Sequence, residues 1–167
     1  MDVNFTVSES KKLRVEEEEE LMTYLREGAE EVKSHDPERI EQAVRGYRQA
    51  KGMTRNYYKH KLHKRIKKRL KKQPKKLVAY YTKIIAAMLL KDIEIDEVHV
   101  GNSIVIRCRC KTTDGLLDLD KLVDSGELDE LFGCIMSCLI NQQVTASVSI
   151  SQAEFKRCLT SLTADAG

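Results

Sequence analysis

The sequence predicts an α+β fold in which helices pack on one face of an antiparallel sheet, preceded by charged helices. Runs of alternating apolar and polar residues predict strands near both ends of the chain. Two further strand-like runs flank a Gly-Asn pair and predict a hairpin. The segments between these strands carry apolar residues at helical spacing. The sheet is therefore expected to contain the hairpin and one or two further strands.

Composition excludes a collagen, a proline-rich linker protein and a small domain held together by disulfides. Among 167 residues there are two prolines, eight glycines and no tryptophan, and the five cysteines lack the spacing of a disulfide framework. No apolar run approaches the roughly 20 residues that span a bilayer. The first residues lack the basic start and the apolar stretch of a secretory signal. We expect one domain, or one domain with a long appendage, in the cytoplasm, with the nucleus as an alternative because of a basic run.

Charge is divided unevenly along the chain. No acidic residue occurs between Gln42 and Lys91, a stretch that holds 17 of the 29 lysines and arginines. Such asymmetry predicts a docking surface for an anion, or internal pairing between basic and acidic parts. We therefore divide the chain into a charged helical region over 1–76, an α/β sandwich domain over 77–162 and a tail over 163–167.

The charged region is predicted to begin with a strand and an acidic helix. Residues 2–8 alternate apolar and polar side chains, which predicts a strand that can join the sheet. The acidic helix covers 13–33 and opens with five carboxylates, Glu16 to Glu20, near the positive end of the helix dipole. Asp36 is a suitable N-cap for the next helix, and Pro37 suits its first position.

The basic part, over 45–76, is the strongest local feature of the sequence. Thr54 is predicted to cap a long helix that reaches about Gln73. Its apolar stripe is narrow, with one residue at every fourth position: Tyr58, Leu62, Ile66 and Leu70. The candidate residues for binding an anion or a partner are the basic side chains around and beyond that stripe: Arg55, Lys59, Lys61, Lys64, Arg65, Lys67, Lys68, Arg69, Lys71, Lys72, Lys75 and Lys76.

Several interpretations of this basic helix remain open. It can bind a nucleic-acid backbone or an anionic membrane surface, act as a nuclear import signal, or fill an acidic groove of a partner. It can also pair internally with the Glu-rich helix of residues 16–31. Like charges at helical spacing destabilise an isolated helix, so we expect an anionic counterpart to order it. Only Tyr57 and Tyr58 supply aromatic rings, which is little support for base stacking.

Four helices and one strand are predicted around the hairpin in the second half of the chain. The helix over 75–91 is apolar around most of its circumference and is expected to be deeply buried. Asp114 begins a short helix, and Ser125 caps a longer one. Residues 144–150 alternate as a half-buried strand. Ser151 then starts a capping box that opens the last helix.

The hairpin is predicted to have a two-residue turn at Gly101-Asn102. This turn pairs residues whose numbers sum to 203. Ile95 then lies opposite Cys108, and Asp96 lies opposite Arg107, so apolar residues meet on one face and opposite charges on the other. Three valines leave the second face partly apolar near the turn, where another segment or a partner is expected to cover them: Val98, Val100 and Val105.

No catalytic, cofactor-binding or metal site is predicted. Cys108 and Cys110 share a strand face, and Cys134 and Cys138 continue a helical stripe, without the glycine-bearing knuckle of a zinc site. We therefore predict that these cysteines pack in the core. The sequence contains no recognisable nucleophile–base pattern and no Gly-rich phosphate loop. The protein is predicted not to be an enzyme.

Three segments of the second half resemble a known family. They are HVGNSIVIRCRC (His99 to Cys110), SGELDELFGCIMSCLINQ (Ser125 to Gln142) and VSISQAEFKRCLTSL (Val148 to Leu162). They resemble the N-terminal domain of TRADD, the death-domain adaptor of tumour-necrosis-factor receptor signalling. They also resemble related domains at the front of animal innate-immune and death-signalling proteins. The resemblance covers about residues 77–162, and the charged helices over about 13–74 are a departure from it.

The resemblance implies both a fold and a function. The fold is a four-stranded antiparallel sheet with helices packed on it, in the order strand, helix, hairpin, helix, strand, helix. The function is a non-enzymatic interaction module that recruits signalling proteins such as TRAF proteins. We predict an adaptor or scaffold in death or innate-immune signalling that binds through the open sheet face and the basic helix. The alternative is a nucleic-acid-binding protein that uses the basic helix over 55–76.

Overall fold

The computed structural model describes residues 2–9, 13–34, 37–100 and 104–166, and in these residues the chain forms four strands and seven helices. The predicted α+β class, with helices on an antiparallel sheet, is confirmed. In chain order the elements are β1 (Asp2–Glu9), α1 (Val15–Ser34), α2 (Pro37–Gln49), α3 (Met53–Arg69), α4 (Lys75–Leu89), β2 (Ile93–Val100), β3 (Ile104–Cys110), α5 (Thr113–Asp124), α6 (Glu127–Ile140), β4 (Ala146–Ile150) and α7 (Gln152–Ala166).

The first strand lies inside the sheet. The strands are ordered β2-β3-β1-β4, and every neighbouring pair is antiparallel. Phe5 of β1 lies opposite Ile106 on one side and Ile150 on the other. Since alternate residues of a strand point to the same face, Phe5 shares the covered face with two other fully buried residues of β1, Val3 and Val7.

The hairpin follows the predicted register only in the half that is farther from the turn, from Ile93 to Ile95. Ile95 lies opposite Cys108 as predicted, but β2 contains a bulge between Ile95 and Glu97. Beyond the bulge Glu97, and not Asp96, lies opposite Arg107. The predicted Asp96–Arg107 pair is therefore wrong. The predicted two-residue turn at Gly101-Asn102 lies outside the described residues.

The bulge arises from the spacing of apolar residues along β2. Ile93 and Ile95 are two residues apart, but the next buried side chain, Val98, follows after three. An extra residue in the strand returns Val98 to the covered face, where it is 2% exposed. The prediction that Val98 belongs to a second apolar face is therefore wrong. Asp96 is left outside the ladder, where Lys33 Nζ donates to its carboxylate over 3.1 Å and holds the pKa of that carboxyl below its usual value.

Helices of both predicted regions contribute to a continuous core. The helix predicted over 75–91 is deeply buried as α4, and Phe132 of α6 packs against Phe5 with ring centroids 6.1 Å apart. The buried cluster also contains Leu21 of α1 and Leu62 of α3. It therefore crosses the boundary that the sequence suggested at residue 76. The last helix continues to Ala166, so the segment predicted as a tail from 163 is mostly helical.

A close contact between α1 and α4 joins the charged helices to the sheet layer. The Tyr81 hydroxyl donates a hydrogen bond to the Leu25 carbonyl, and burial raises the pKa of Tyr81, so the donor stays protonated. Gly28 lies one turn further along α1, where a Cβ atom would come within 2.5 Å of Tyr81 Cε2 and 3.0 Å of Leu70 Cδ2. Gln73 Nε2 donates to the Tyr24 carbonyl over 3.0 Å beside this contact.

This contact predicts an unusual result for a glycine in a helix. Replacing a helical glycine by alanine normally stabilises by up to about 1 kcal/mol. We expect Gly28→Ala instead to destabilise by about 1–3 kcal/mol, because its methyl group displaces a fully buried ring. Thr23→Ala, at an exposed position of α1, is the control and should be neutral or slightly stabilising. Chemical denaturation measures both, and a stabilised Gly28→Ala protein would contradict the close contact.

The bulge predicts which charges are coupled across the hairpin. Arg107 Nη1 lies 3.4 Å from Glu97 Oε2, and both side chains are substantially exposed. A double-mutant cycle with Glu97→Ala and Arg107→Ala should give a coupling of about 0.2–1 kcal/mol. The matched cycle with Asp96→Ala and Arg107→Ala should give a smaller value. A larger coupling to Asp96 would restore the register without a bulge.

Candidate functional site

Helix α3 begins and ends earlier than its sequence pattern predicts. Gly52 precedes it with a φ of 63°, a conformation that glycine adopts without strain. The helix starts at Met53, so Thr54 lies within its first turn and the prediction that Thr54 is the N-cap is wrong. It ends at Arg69, four residues before the predicted end, and the chain then turns toward Pro74, which immediately precedes α4.

Apolar packing holds α3 against its neighbours. Leu62, Ile66 and Leu70 of the predicted stripe are buried, and the helix contacts both α2 and α4. Tyr58 is half-buried and lies against α2, where a Cβ atom at Gly46 would be 2.3 Å from the Tyr58 ring. These apolar contacts hold the helix in place.

The Glu-rich run of α1 does not neutralise α3. Within the residues that the structure describes, the run Glu16–Glu20 has one ion pair, between Glu17 and Arg14 at 3.3 Å, and none with α3. The two helices approach each other through apolar atoms, at Gly28 and Leu70. The predicted pairing of the basic helix with the Glu-rich helix of residues 16–31 is therefore not supported for its first five carboxylates, Glu16–Glu20.

One side of α3 presents a row of lysines to solvent. We call this row the lysine face and define it as Lys61, Lys64, Lys67 and Lys68, all exposed. Residues three and four apart lie on the same side of a helix, and this side is opposite Leu62 and Ile66. In the described part of the chain no carboxylate forms an ion pair with any of these four lysines.

The structure separates the other predicted basic residues from this face. Arg65 and Arg69 are half-buried on the flanks of α3. Arg55 stacks on the Tyr47 ring of α2, with its Cζ atom 4.2 Å from the ring centroid. The remaining predicted residues are exposed elsewhere on α3, in the turn after it or on the first turn of α4: Lys59, Lys71, Lys72, Lys75 and Lys76.

Two further residues, which the stripe pattern did not single out, continue the exposed side of α3 toward its N-terminus. Met53 is 87% exposed and Tyr57 60% exposed, and both lie on the side of the lysine face. Their signal in the sequence is the same three- and four-residue spacing that places the lysines together. The neighbouring His63 is half-buried, and burial together with nearby lysines lowers its pKa, so the positive charge of this side at neutral pH is carried by lysine.

The open face of the sheet differs from the lysine face because its charged side chains are paired with one another. Glu97 lies 2.8 Å from His99 Nε2 as well as close to Arg107, and Lys111 lies 3.1 Å from Glu94. The strand edges also have polar partners from helices. Arg26 of α1 donates to the Val98 carbonyl of β2 over 3.5 Å. On β4 the Val148 N–H donates to Asp129 of α6 over 2.7 Å. The sheet therefore offers less unpaired charge than α3.

The cysteines occupy two environments. Cys108 and Cys110 are buried in β3, as predicted. Cys134 and Cys138 are only half-buried, because they lie beside the buried stripe of α6 and line an open groove of about 750 Å³ with Tyr80. The two thiols raise the pKa of the Tyr80 phenol. Among the described residues no three His, Cys, Asp or Glu side chains are placed so that they could hold a metal ion.

Comparisons with protein-family models, curated proteins and solved structures find no match to this chain. Within the described residues, none of the helices combines the length and the apolar content that crossing a membrane requires.

The lysine face predicts a gain in stability on charge reversal. Lys64 lies one turn from Lys61, Lys67 and Lys68, and like charges at this spacing repel. We expect Lys64→Glu to stabilise the protein by about 0.5 kcal/mol, because it replaces repulsions by attractive pairs of about 0.2–0.5 kcal/mol each. Lys121→Glu makes the same change of charge on α5, among Asp118 and Asp124, and should destabilise. Thermal unfolding at low salt measures both, and equal signs would contradict the local electrostatic explanation.

Proposed function

We propose that the chain is a non-enzymatic protein-interaction module, an adaptor or scaffold, that docks an acidic surface of a partner protein along the lysine face. One observation carries this proposal. Four exposed lysines without carboxylate partners in the described residues lie on a helix whose opposite side is fully buried. The module presents uncompensated positive charge on a rigid support.

Rigidity makes the lysine face a better docking surface than a free basic segment. A disordered segment loses conformational entropy when it orders on a partner. Because Leu62 and Ile66 already hold α3 in place, binding does not carry the additional entropy cost of ordering the helix backbone. The uniform charge also steers an acidic partner toward the face before contact.

The family resemblance supports an adaptor function. It implies a four-stranded antiparallel sheet with helices, and the chain has a sheet of that size with a hairpin between helices and a strand after them. We place the module in the cytoplasm, in death or innate-immune signalling, with signalling proteins such as TRAF-type proteins as partners. Fold alone does not determine function, so the partner class rests on the lysine face and on the resemblance together.

Nucleic-acid binding through the same face is the second candidate. Tyr57 favours it, because its exposed ring lies at the head of the lysine row and is held edge-to-face against Tyr58, with ring centroids 5.3 Å apart. A base can stack on such a ring while lysines contact phosphates. The complete absence of acidic residues between Gln42 and Lys91 also suits a phosphate backbone.

Fluorescence anisotropy with two labelled probes tests the proposal. The first probe is a glutamate-rich helical peptide of about 20 residues, roughly 30 Å long. The second is duplex DNA, with single-stranded RNA beside it. We expect the peptide to bind, and a variant with Lys61→Glu, Lys64→Glu and Lys68→Glu to bind it at least tenfold more weakly. The matched control, with Lys91→Glu, Lys121→Glu and Lys156→Glu at exposed positions, has the same net charge and should bind like the unchanged protein.

The outcomes separate the two candidates. Equal losses in the two triple variants would show that net charge alone drives binding, and would contradict docking on the lysine face. Preference for DNA or RNA over the peptide, with affinity that falls steeply with salt, would favour the second candidate. Tyr57→Ala should then weaken RNA binding more than peptide binding, because only bases stack on the ring.

A further inference from the structure

Helix α1 presents a charged face of opposite sign. Five exposed carboxylates share one side of the helix, and we call them the glutamate face: Glu16, Glu19, Glu20, Glu27 and Glu30. The opposite side of α1 is buried against the core through residues that include Leu21 and Leu25. Within the described residues none of the five carboxylates forms an ion pair. The one arginine beside them, Arg26, is directed to Met22 and the Val98 carbonyl.

The two faces have similar lengths. At 1.5 Å per residue, the glutamate face extends about 20 Å along α1. The exposed side of α3 from Met53 to Lys68 extends about 20 Å by the same measure. Each face carries its charge over several turns, and neither has a carboxylate or lysine of the other sign opposite it in the described residues.

Exposed apolar side chains lie at corresponding ends of these helices. Val15 at the start of α1 is 68% exposed, and Met53 and Tyr57 at the start of α3 are more than half exposed. Among the described residues the fourth exposed large apolar side chain is Leu117, on α5. A parallel alignment of α1 with α3 brings Val15 against Met53 and Tyr57 and sets the glutamates beside the lysines.

The two faces do not meet within one chain. Helix α1 approaches the end of α3 through Gly28 and Leu70, which belong to the buried sides of the two helices. The charged faces lie on the sides that point away from this contact. Two copies of the chain can bring them together.

We propose that the lysine face of one copy docks on the glutamate face of a second copy, with the helices parallel and Val15 against Met53 and Tyr57. This inference rests on the proposed function, since it names a second copy as the acidic partner. The two surfaces in the contact are different, so it is heterologous, and each added copy leaves one face of each kind open. Copies therefore assemble into a ring or a chain, which is suited to a scaffold.

Sedimentation velocity of the full chain at increasing concentration tests the assembly. We expect species larger than a dimer at low salt and their dissociation at high salt, because exposed charge pairs are screened. The lysine-face variant (Lys61→Glu, Lys64→Glu, Lys68→Glu) should associate at least tenfold more weakly. So should a glutamate-face variant (Glu19→Lys, Glu27→Lys, Glu30→Lys). The control with Lys91→Glu, Lys121→Glu and Lys156→Glu should assemble like the unchanged protein.

Mixing the two variants identifies the contact. Each keeps one intact face, and the two reversed faces also attract each other, so an equimolar mixture should regain assembly into species larger than a dimer. A protein with both sets of substitutions has both charges reversed and should regain self-association. Circular dichroism checks that each variant is folded. Should a reversal prevent folding, the neutral versions with Gln at the same positions take its place and should also fail to self-associate.

Several results would overturn this inference. A chain that stays monomeric at high concentration and low salt has no such contact. Undiminished assembly of either variant, or a mixture that stays monomeric, would exclude these faces. Assembly that appears only after addition of duplex DNA or of anionic phospholipid vesicles would assign the lysine face to those partners. If the unchanged chain binds the glutamate-rich peptide through the lysine face but stays monomeric, the proposed function stands and the self-assembly alone fails.

Discussion

The pairing of β1 on both of its edges is the constraint on which the rest of the fold depends. β1 is the strand that joins β4 to the rest of the sheet, and its two partners begin only at Ile104 and Ala146. Phe5 also contacts Phe132, so the same strand positions the helix layer. Loss of β1 would leave β4 unpaired and expose the hydrogen-bonding edge of β3. Along the chain, the charged helices therefore lie between two strands of the same sheet, β1 before them and β2 after them.

Close packing attaches these helices to the sheet layer, and an ion pair between Lys33 and Asp96 also joins α1 to β2. Tyr81 reaches from α4 to the Leu25 carbonyl, and Gly28 leaves room for its ring. Leu70, at the end of α3, packs against the same position. Because this packing orders α3 through its apolar stripe, the opposite side of the helix is free to carry charges that would destabilise an isolated helix. The lysine face exists because one side of α3 supplies the packing and the other side does not have to.

The arrangement of surface charge on the hairpin differs from that on the exposed sides of α1 and α3. On the hairpin, acidic and basic side chains alternate and pair, as Lys111 does with Glu94. On the exposed sides of α1 and α3, like charges follow one another, and the described residues supply no counterparts for them. Exposed lysines and glutamates cost little in water, so such faces persist without internal pairing. Because these charges are not already paired in the described residues, they can pair with a partner, which is the basis of both proposals.

Local patterns in the sequence predict a large part of this fold. The alternation in 2–8 predicts β1, the four-residue stripe from Leu62 to Leu70 predicts the buried side of α3, and the apolar circumference of 75–91 predicts the depth of α4. These predictions succeed because each depends on the period of side chains along one element. The strand order does not follow from any local pattern, since β1 alone carries no information about which strands will lie beside it.

The remaining features were decided by tertiary packing. Alternation alone did not place the bulge at Asp96, because an extra residue is favoured only where the sheet must return Val98 to a core on one face. The run of glutamates suggested a partner for the basic helix, but the side of α1 that faces α3 is set by burial of its apolar residues, and burial turns the glutamates outward. The sequence by itself determined the elements, their buried sides and the excess of lysine on α3. The tertiary structure alone decided that this lysine would remain unpaired, because burying apolar surface outweighs the small gain from pairing exposed charges.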